Sequence, residues 1–373
     1  MRVLITGGAG FIGSHLSIKL SSLGYDITIL DSLTSQVHGE FPQYENSNNC
    51  KSRIEFVRGD IRNTELLNQL LSECEIVVHL AAETGTSQSM YLINHYYDVN
   101  VLGTANLFNL VALNHKHIKK IIFASSRSIY GEGAYLLGDN FYVPESRNVE
   151  QLKNKDWDCK GPNGESLKLI ATSEKVSARP SSIYAATKLA CEQMADIVSE
   201  TYGTKIITLR FQNVFGEGQS LKNPYTGIIS IFANRMRTNL PINIFEDGQE
   251  SRDFIHVSDI IEAIHLSMND KIDKNIIINI GSGIPTSVLS IANILKNKLN
   301  SCSDIKISGD FRAGDIRHCF ADIALAKQVL NFDPKLTIEE GLNLFCKWFE
   351  KQAPETDKSD SAMQELSSIG LAR

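Results

Sequence analysis

The stretch Thr6-Gly7-Gly8-Ala9-Gly10-Phe11-Ile12-Gly13, set between an apolar strand-like segment and the start of a helix, constrains this chain more than any other. Glycines at this spacing permit what a Cβ would forbid: a tight turn, a close backbone approach to a ligand's phosphates, and close packing of helix on sheet. Gly7, Gly10 and Gly13 occupy those positions, with Phe11 and Ile12 opening the helix. A diphosphate would then rest on the helix N-terminus, where N–H groups lack intrahelical partners. Asp31 ends the next apolar run, residues 27–30. Its carboxylate can accept from both ribose hydroxyls and would repel a 2′-phosphate, and no arginine follows closely, so NAD is expected rather than NADP. Asp60 is a candidate for the adenine edge, with Ile61 beside it, and Leu80, Ala81 and Ala82 end a strand where small residues let a cofactor lie close. Asn100 is a further candidate cofactor contact.

Short apolar strands at residues 3–5, 27–30, 76–80 and 120–124 alternate with helical stretches, the rhythm of a parallel sheet with crossover helices. The expected fold is α/β, a doubly wound sheet of Rossmann type over residues 1–215, with a smaller interleaved α/β substrate lobe over 216–351. The lobe is expected to include a helix at 228–238 and strands at 242–245 and 276–280. Residues 133–180 break the rhythm and read as an insertion near the active site, while 352–373 read as a polar, poorly ordered tail.

Tyr184-Ala-Ala-Thr-Lys188 places a phenol and an ammonium four residues apart, hence on one helix face. A free tyrosine has a pKa of about 10, so it serves as a base at neutral pH only where positive charge favours the phenolate. Lys188 is the expected cation, together with the nicotinamide charge. Ser126, ending the strand at 120–124, offers a hydroxyl to the same substrate oxygen. Tyr184 and Lys188 thus count as both catalytic and cofactor-contacting candidates.

A net charge of −6 and a pI near 5.9 disfavour a nucleic-acid partner, which needs a concentrated basic face. Seven cysteines, an odd number without paired spacing, suit a reducing compartment, and a cytoplasmic location is expected. The chain opens directly on a strand-like segment and no apolar run approaches bilayer length, so no leader and no membrane anchor are expected.

Taken together, TGGAGFIGS, HLAAE at 79–83, DVNVLGT at 98–104, SSRSIYGEG at 125–133, YAATK at 184–188, RFQNVFG at 210–216 and RDFIHVSD at 252–259 resemble the extended short-chain dehydrogenase/reductases, in their nucleotide-sugar epimerase and dehydratase branch. The resemblance spans almost the whole chain and implies a retained NAD and a homodimer. Helices over 100–113 and 183–200 are candidates to pair across a two-fold axis.

In the dehydratases of this branch an Asp-Glu pair follows the catalytic hydroxyl residue, whereas Arg127 and Ser128 follow Ser126 here. Without those acids, expulsion of water loses its general acid and base, so epimerisation at C4 is expected instead. The resemblance is strongest to dTDP-L-rhamnose 4-epimerases, through RFQNVFGEGQSLKNPYTGI at 210–228, TGTSQSM at 84–90 and AGDIRHCFAD at 313–322. It implies that Thr84, Thr86, Ser126 and Arg127 face the sugar, that Asn213 binds the sugar diphosphate, and that Arg252 and Arg317 neutralise it. Paired arginines suit phosphate because the guanidinium fork meets two oxygens at once. Such relatives often carry several cysteines in the insertion, in a pattern like a zinc site; Cys159 alone cannot supply four ligands, so no metal is expected. A UDP-hexose 4-epimerase, a nucleotide-sugar 4-reductase or dehydrogenase, and a non-catalytic NAD-binding scaffold are the competing readings.

Overall fold

The computed structural model describes residues 1–39, 53–221, 223, 225, 227–312, 314–354 and 359–370. Its centre is a seven-stranded parallel sheet in the order Ile276–Ile280, Ile206–Phe211, Lys120–Ser126, Ile76–His79, Arg2–Thr6, Asp26–Asp31, Ile54–Arg58. Parallel strands need crossovers on the faces, so both faces are covered and the strands read as near-continuous apolar runs. Within the first strand, Val3 and Ile5 join Leu16, Ile29 and Val78 in the core on one face, while Leu4 joins Leu30, Val77 and Phe123 on the other. The strand order reverses between Arg2–Thr6 and Ile76–His79, which pair in register from Val3 opposite Ile76 to Thr6 opposite His79. Connections leaving the two strands in opposite directions open a crevice at their carboxyl ends.

Three segments take a definite place in the fold. The strand Ile276–Ile280, read from sequence as part of the lobe, closes one edge of the central sheet, parallel to Ile206–Phe211. The insertion is folded: Asn140–Tyr142, Ala134–Leu137 and Lys168–Ile170 form a three-stranded antiparallel sheet. The polar tail carries a helix, Ser359–Ser368, held by an ion pair from Arg235 Nη1 to Asp360 Oδ1 at 2.7 Å and by the Tyr225 hydroxyl donating to Glu365 Oε2 at 2.8 Å.

The lobe has its own core of Phe215, Phe232, Ile242, Ile291, Leu342 and Phe345. The strand Ile242–Ile244 pairs there with Ile305–Ile307. Between lobe and central sheet lies Ser251–His256, paired with Asn213–Phe215, Pro285–Ser287 and His318–Cys319. No helix among the described residues is long and apolar enough to cross a membrane.

The helix Ile183–Tyr202 is the element on which the site depends most. Ser182 caps it, its side chain accepting from the Ala185 N–H at 3.2 Å, and Gly203 ends it in the left-handed conformation at φ +73° that a Cβ disfavours.

Candidate active site

A cleft of about 830 Å3 runs from the glycine turn across the crevice into the lobe. At its first end the turn is locked by the Gly7 N–H donating to Leu30 O at 2.8 Å. A Cβ on Gly7, where φ is +68°, would meet Ala81 N at 2.7 Å, and one on Gly13 would meet Gly8 Cα at 2.5 Å. The helix Phe11–Ser22 begins at Gly10 without a side-chain cap, which leaves its first N–H groups available to an anion. Gly10, Phe11, Ile12 and Gly13 line this wall.

Asp31 sits at the next strand end, its carboxylate accepting from Ala9 N at 3.0 Å and Leu33 N at 2.8 Å. Each carboxylate oxygen retains acceptor capacity for a ribose hydroxyl. Asp60 and Ile61 follow along the wall. The Asp60 carboxyl is held below its ordinary value, chiefly by side-chain hydrogen bonds from Arg62, whose Nε and Nη2 reach it at 2.9 and 2.7 Å. Leu80, Ala81 and Ala82 line the cleft where the sequence placed them. This cradle, with an uncapped helix end and a carboxylate beyond it, fits NAD.

Asn100, also expected as a cofactor contact, is buried and is not itself part of the cleft wall. Its Oδ1 accepts from Glu83 N at 2.8 Å, and its Nδ2 donates to Glu83 O at 3.0 Å and Thr187 Oγ1 at 3.1 Å. It therefore ties the loop after Ala82 to the Tyr-Lys helix.

Ser126, Tyr184 and Lys188 converge on the middle of the cleft. The Ser126 hydroxyl favours the ionised form of the Tyr184 phenol, and its Oγ accepts from the Ser128 hydroxyl at 3.0 Å. Lys188 Nζ donates to Ala124 O at 2.9 Å and lies over the Phe123 ring, 5.3 Å from its centroid. Burial pushes the Tyr184 phenol above its ordinary value, partly offset by the Ser126 hydroxyl and the Arg127 charge. Burial likewise pushes the Lys188 ammonium down. Arg127 thus adds a positive charge that favours the phenolate, beyond the Lys188 ammonium that the sequence pointed to. Positive charge arriving with the nicotinamide acts in the same direction as Arg127.

Behind this triad lies a buried network that the sequence reading missed. Ser125 donates to Glu192; Arg210 reaches Glu192 through Nη2 at 2.7 Å and the Tyr130 hydroxyl through Nη1 at 2.7 Å; Tyr130 donates to Asn279 Oδ1 at 2.7 Å. Glu192 stands four residues beyond Lys188 on the same helical face, a spacing that could have signalled it.

Toward the lobe, Thr84, Thr86, Arg127, Asn213 and Arg252 line the cleft. Asn213 Oδ1, both polar atoms of the Gln212 amide and Gln219 Oε1 are buried without a hydrogen-bond partner among the described residues, and all three residues line the cleft. Buried polar atoms of this kind mark where a polar ligand would be met. Arg252 is oriented by Asp315 Oδ1 at 2.9 Å and Ile316 O at 2.6 Å.

Arg317 does not line the cleft. It is bound to Asp247 at 2.6 and 2.8 Å, to Glu246 at 3.1 Å and to Asp158 at 3.0 Å, which makes it a structural tie between insertion and lobe. Near Arg252 a further arginine, Arg312, lines the cleft, its guanidinium over the Phe245 ring, 4.7 Å from its centroid. Among the described residues, no three His, Cys, Asp or Glu side chains converge as metal ligands.

A doubly wound sheet with a dinucleotide cradle and a Ser-Tyr-Lys set defines an enzyme that oxidises and reduces a hydroxyl-bearing carbon. The chain belongs to the NAD dependent epimerase/dehydratase family, which matches residues 3–151 and 159–281, and its cofactor is NAD. It is an NAD-dependent nucleotide-sugar epimerase. It is 34% identical to the dTDP-L-rhamnose 4-epimerase of Burkholderia thailandensis, over 94% of this chain and 95% of that one. Among solved structures it is similar to the UDP-N-acetylglucosamine 4-epimerase of Methanobrevibacter ruminantium in complex with UDP-N-acetylmuramic acid, with a TM-score of 0.77 and 30% identity over 94% and 99% of the two chains. It is also similar to the UDP-glucuronic acid 4-epimerase of Bacillus cereus in complex with UDP-glucuronic acid and NAD, with a TM-score of 0.75 and 26% identity over 94% and 99%.

Proposed function

We propose that the enzyme interconverts dTDP-L-rhamnose and dTDP-6-deoxy-L-talose by inverting C4 through a transient 4-keto sugar. The observation that carries this reading is the convergence of Ser126, Tyr184 and Lys188 on the cleft, with Arg127 and Ser128 in the two positions where a dehydratase has its acids. Tyr184, as phenolate, takes the proton of the C4 hydroxyl, while the Ser126 hydroxyl hydrogen-bonds the same oxygen as the carbonyl forms. A positioned base of this kind contributes about 10^2 to 10^4 in rate. Bound NAD supplies the hydride acceptor and, in the return step, the hydride donor. The ketone turns over between the two transfers, Tyr184 returns its proton to the oxygen, and no net oxidation results.

Asn213, Arg252 and Arg312 hold the diphosphate, Thr84 and Thr86 face the hexose, and the lobe wall around Phe245 takes the nucleoside. A 6-deoxyhexose is favoured by the likeness to the Burkholderia enzyme. A UDP-hexose 4-epimerase is the second reading, favoured by the likeness to the two UDP-sugar 4-epimerase structures. Incubation of the purified protein with dTDP-L-rhamnose, and separately with UDP-glucose, without added cofactor and with products followed by NMR, separates the readings. A C4 epimer of the rhamnosyl nucleotide alone is expected. Conversion of UDP-glucose alone would transfer the assignment to the second reading, and stoichiometric consumption of added reduced nicotinamide would make the protein a reductase.

A further inference from the structure

Beyond Arg252, the lobe end of the cleft is walled by Phe245, Glu250, Arg312 and Asp315. Glu250 is 7% exposed and lies immediately before the strand Ser251–His256, and its Oε2 is buried with no hydrogen-bond partner among the described residues. The backbone fixes it there, since Val288 N donates to its carbonyl at 2.9 Å. Neighbouring cations already hold other carboxylates: Arg252 pairs with Asp315 at 2.9 Å, and Arg147 with Glu246 at 2.8 Å. Glu246 and Asp315 repel the Glu250 carboxylate and Arg252 attracts it, and Glu250 and Arg312 attract each other. A buried carboxylate with an unpartnered oxygen is a costly thing to leave inside a diphosphate site.

We propose that Glu250 is a proton-linked binding residue of the nucleotide-sugar site: a diphosphate seated among Arg252 and Arg312 binds the form of the enzyme in which Glu250 has taken a proton from solvent. The inference rests on the reading that this cleft takes a nucleotide-diphosphate sugar. Three features converge on it: the unpartnered buried oxygen, the two repelling carboxylates, and Arg252 and Arg312, which would draw the ligand's negative charge close. Burial, with the Glu246 charge next, pushes this carboxyl up to about 7. A bound diphosphate adds further negative charge beside it and pushes it higher still, because like charges disfavour the ionised form. Affinity is therefore fully present where the free enzyme already holds the proton, and it falls as pH rises through the free-enzyme value. The loss is at most about tenfold per pH unit for one linked proton.

The test is titration calorimetry of the full-length protein with dTDP-L-rhamnose and with UDP-glucose, in buffers of different ionisation enthalpy, from about pH 6 to about pH 8.5. The diphosphate in both ligands is a diester without a proton that titrates near neutrality, so any proton taken up goes to the protein. Uptake is expected to grow from near zero at the acidic end toward about one proton at the alkaline end, with affinity weakening in step. The near-isosteric Glu250→Gln should remove most of the uptake and flatten the affinity profile. Binding without proton uptake in the native enzyme, a result that needs no variant, would overturn the inference and leave the proposed function standing. Uptake unchanged in Glu250→Gln would do the same. Failure of both ligands to bind would sink the proposed function along with it.

Discussion

Tyr184 carries the proton in this account, and burial holds its phenol above the ordinary value while Ser126 and Arg127 pull it back. Tyr184→Phe keeps the ring and its packing but removes the base, so turnover should fall by about 10^2 to 10^4 while nucleotide-sugar binding persists. Product formation measured beside calorimetric binding checks the pair. Because the reactive form is the phenolate, kcat is expected to rise with pH through the titration of Tyr184 in the complex. Arg127→Gln removes a charge that favours the phenolate and should displace that rise to higher pH. Rate profiles from about pH 6 to about pH 10 would show it; an unmoved profile would mean that Arg127 does not tune the base.

At the scale of elements, the insertion is fastened to the lobe by buried charge. Arg147, with its side chain 1% exposed, donates to Glu132 at 3.2 Å and to both oxygens of Glu246 at 2.8 Å. Arg147→Met removes the cation and leaves two buried carboxylates under-compensated, a change that costs about 3 to 5 kcal/mol. Denaturant unfolding should register that loss, whereas a drop below about 1 kcal/mol would show that the cluster is solvated.

The same cluster shows where sequence reasoning reaches its limit. The glycine turn, Asp31 and the Tyr184–Lys188 pair were legible because each depends on spacing within one strand-turn-helix unit or one helix face. Arg317 was not, since its partners Asp158, Glu246 and Asp247 come from segments distant in the chain. Arg312, which does line the cleft, lies only five residues before it, and no local pattern separates the two. Asn100 stands in a legible motif, but its bonds to Glu83 and Thr187 form only in the fold. Ile276–Ile280 reads as a buried strand in either setting, and only its pairing with Ile206–Phe211 assigns it to the central sheet.

On the scale of the whole molecule, the helices flanking the Tyr-Lys helix leave apolar side chains in solvent. Ile93, Tyr97 and Leu102 are exposed, and Ile197, on the Tyr-Lys helix itself, is 62% exposed. We propose that this face joins two copies of the chain, burying these side chains about a two-fold axis. Light scattering coupled to size exclusion should give a dimer for the native protein and a monomer for Ile197→Glu, with a monomeric native protein at odds with the assignment.

The central claim is that one hydrogen leaves C4 of a nucleotide-linked hexose and returns to the opposite face of the same carbon. Deuterium placed at C4 of dTDP-L-rhamnose tests it most directly, with no cofactor added and the product examined by NMR. The account predicts a C4 epimer that retains the label at C4. An epimer that has lost it to solvent, or no epimer from an NAD-loaded enzyme that binds the substrate, would contradict it.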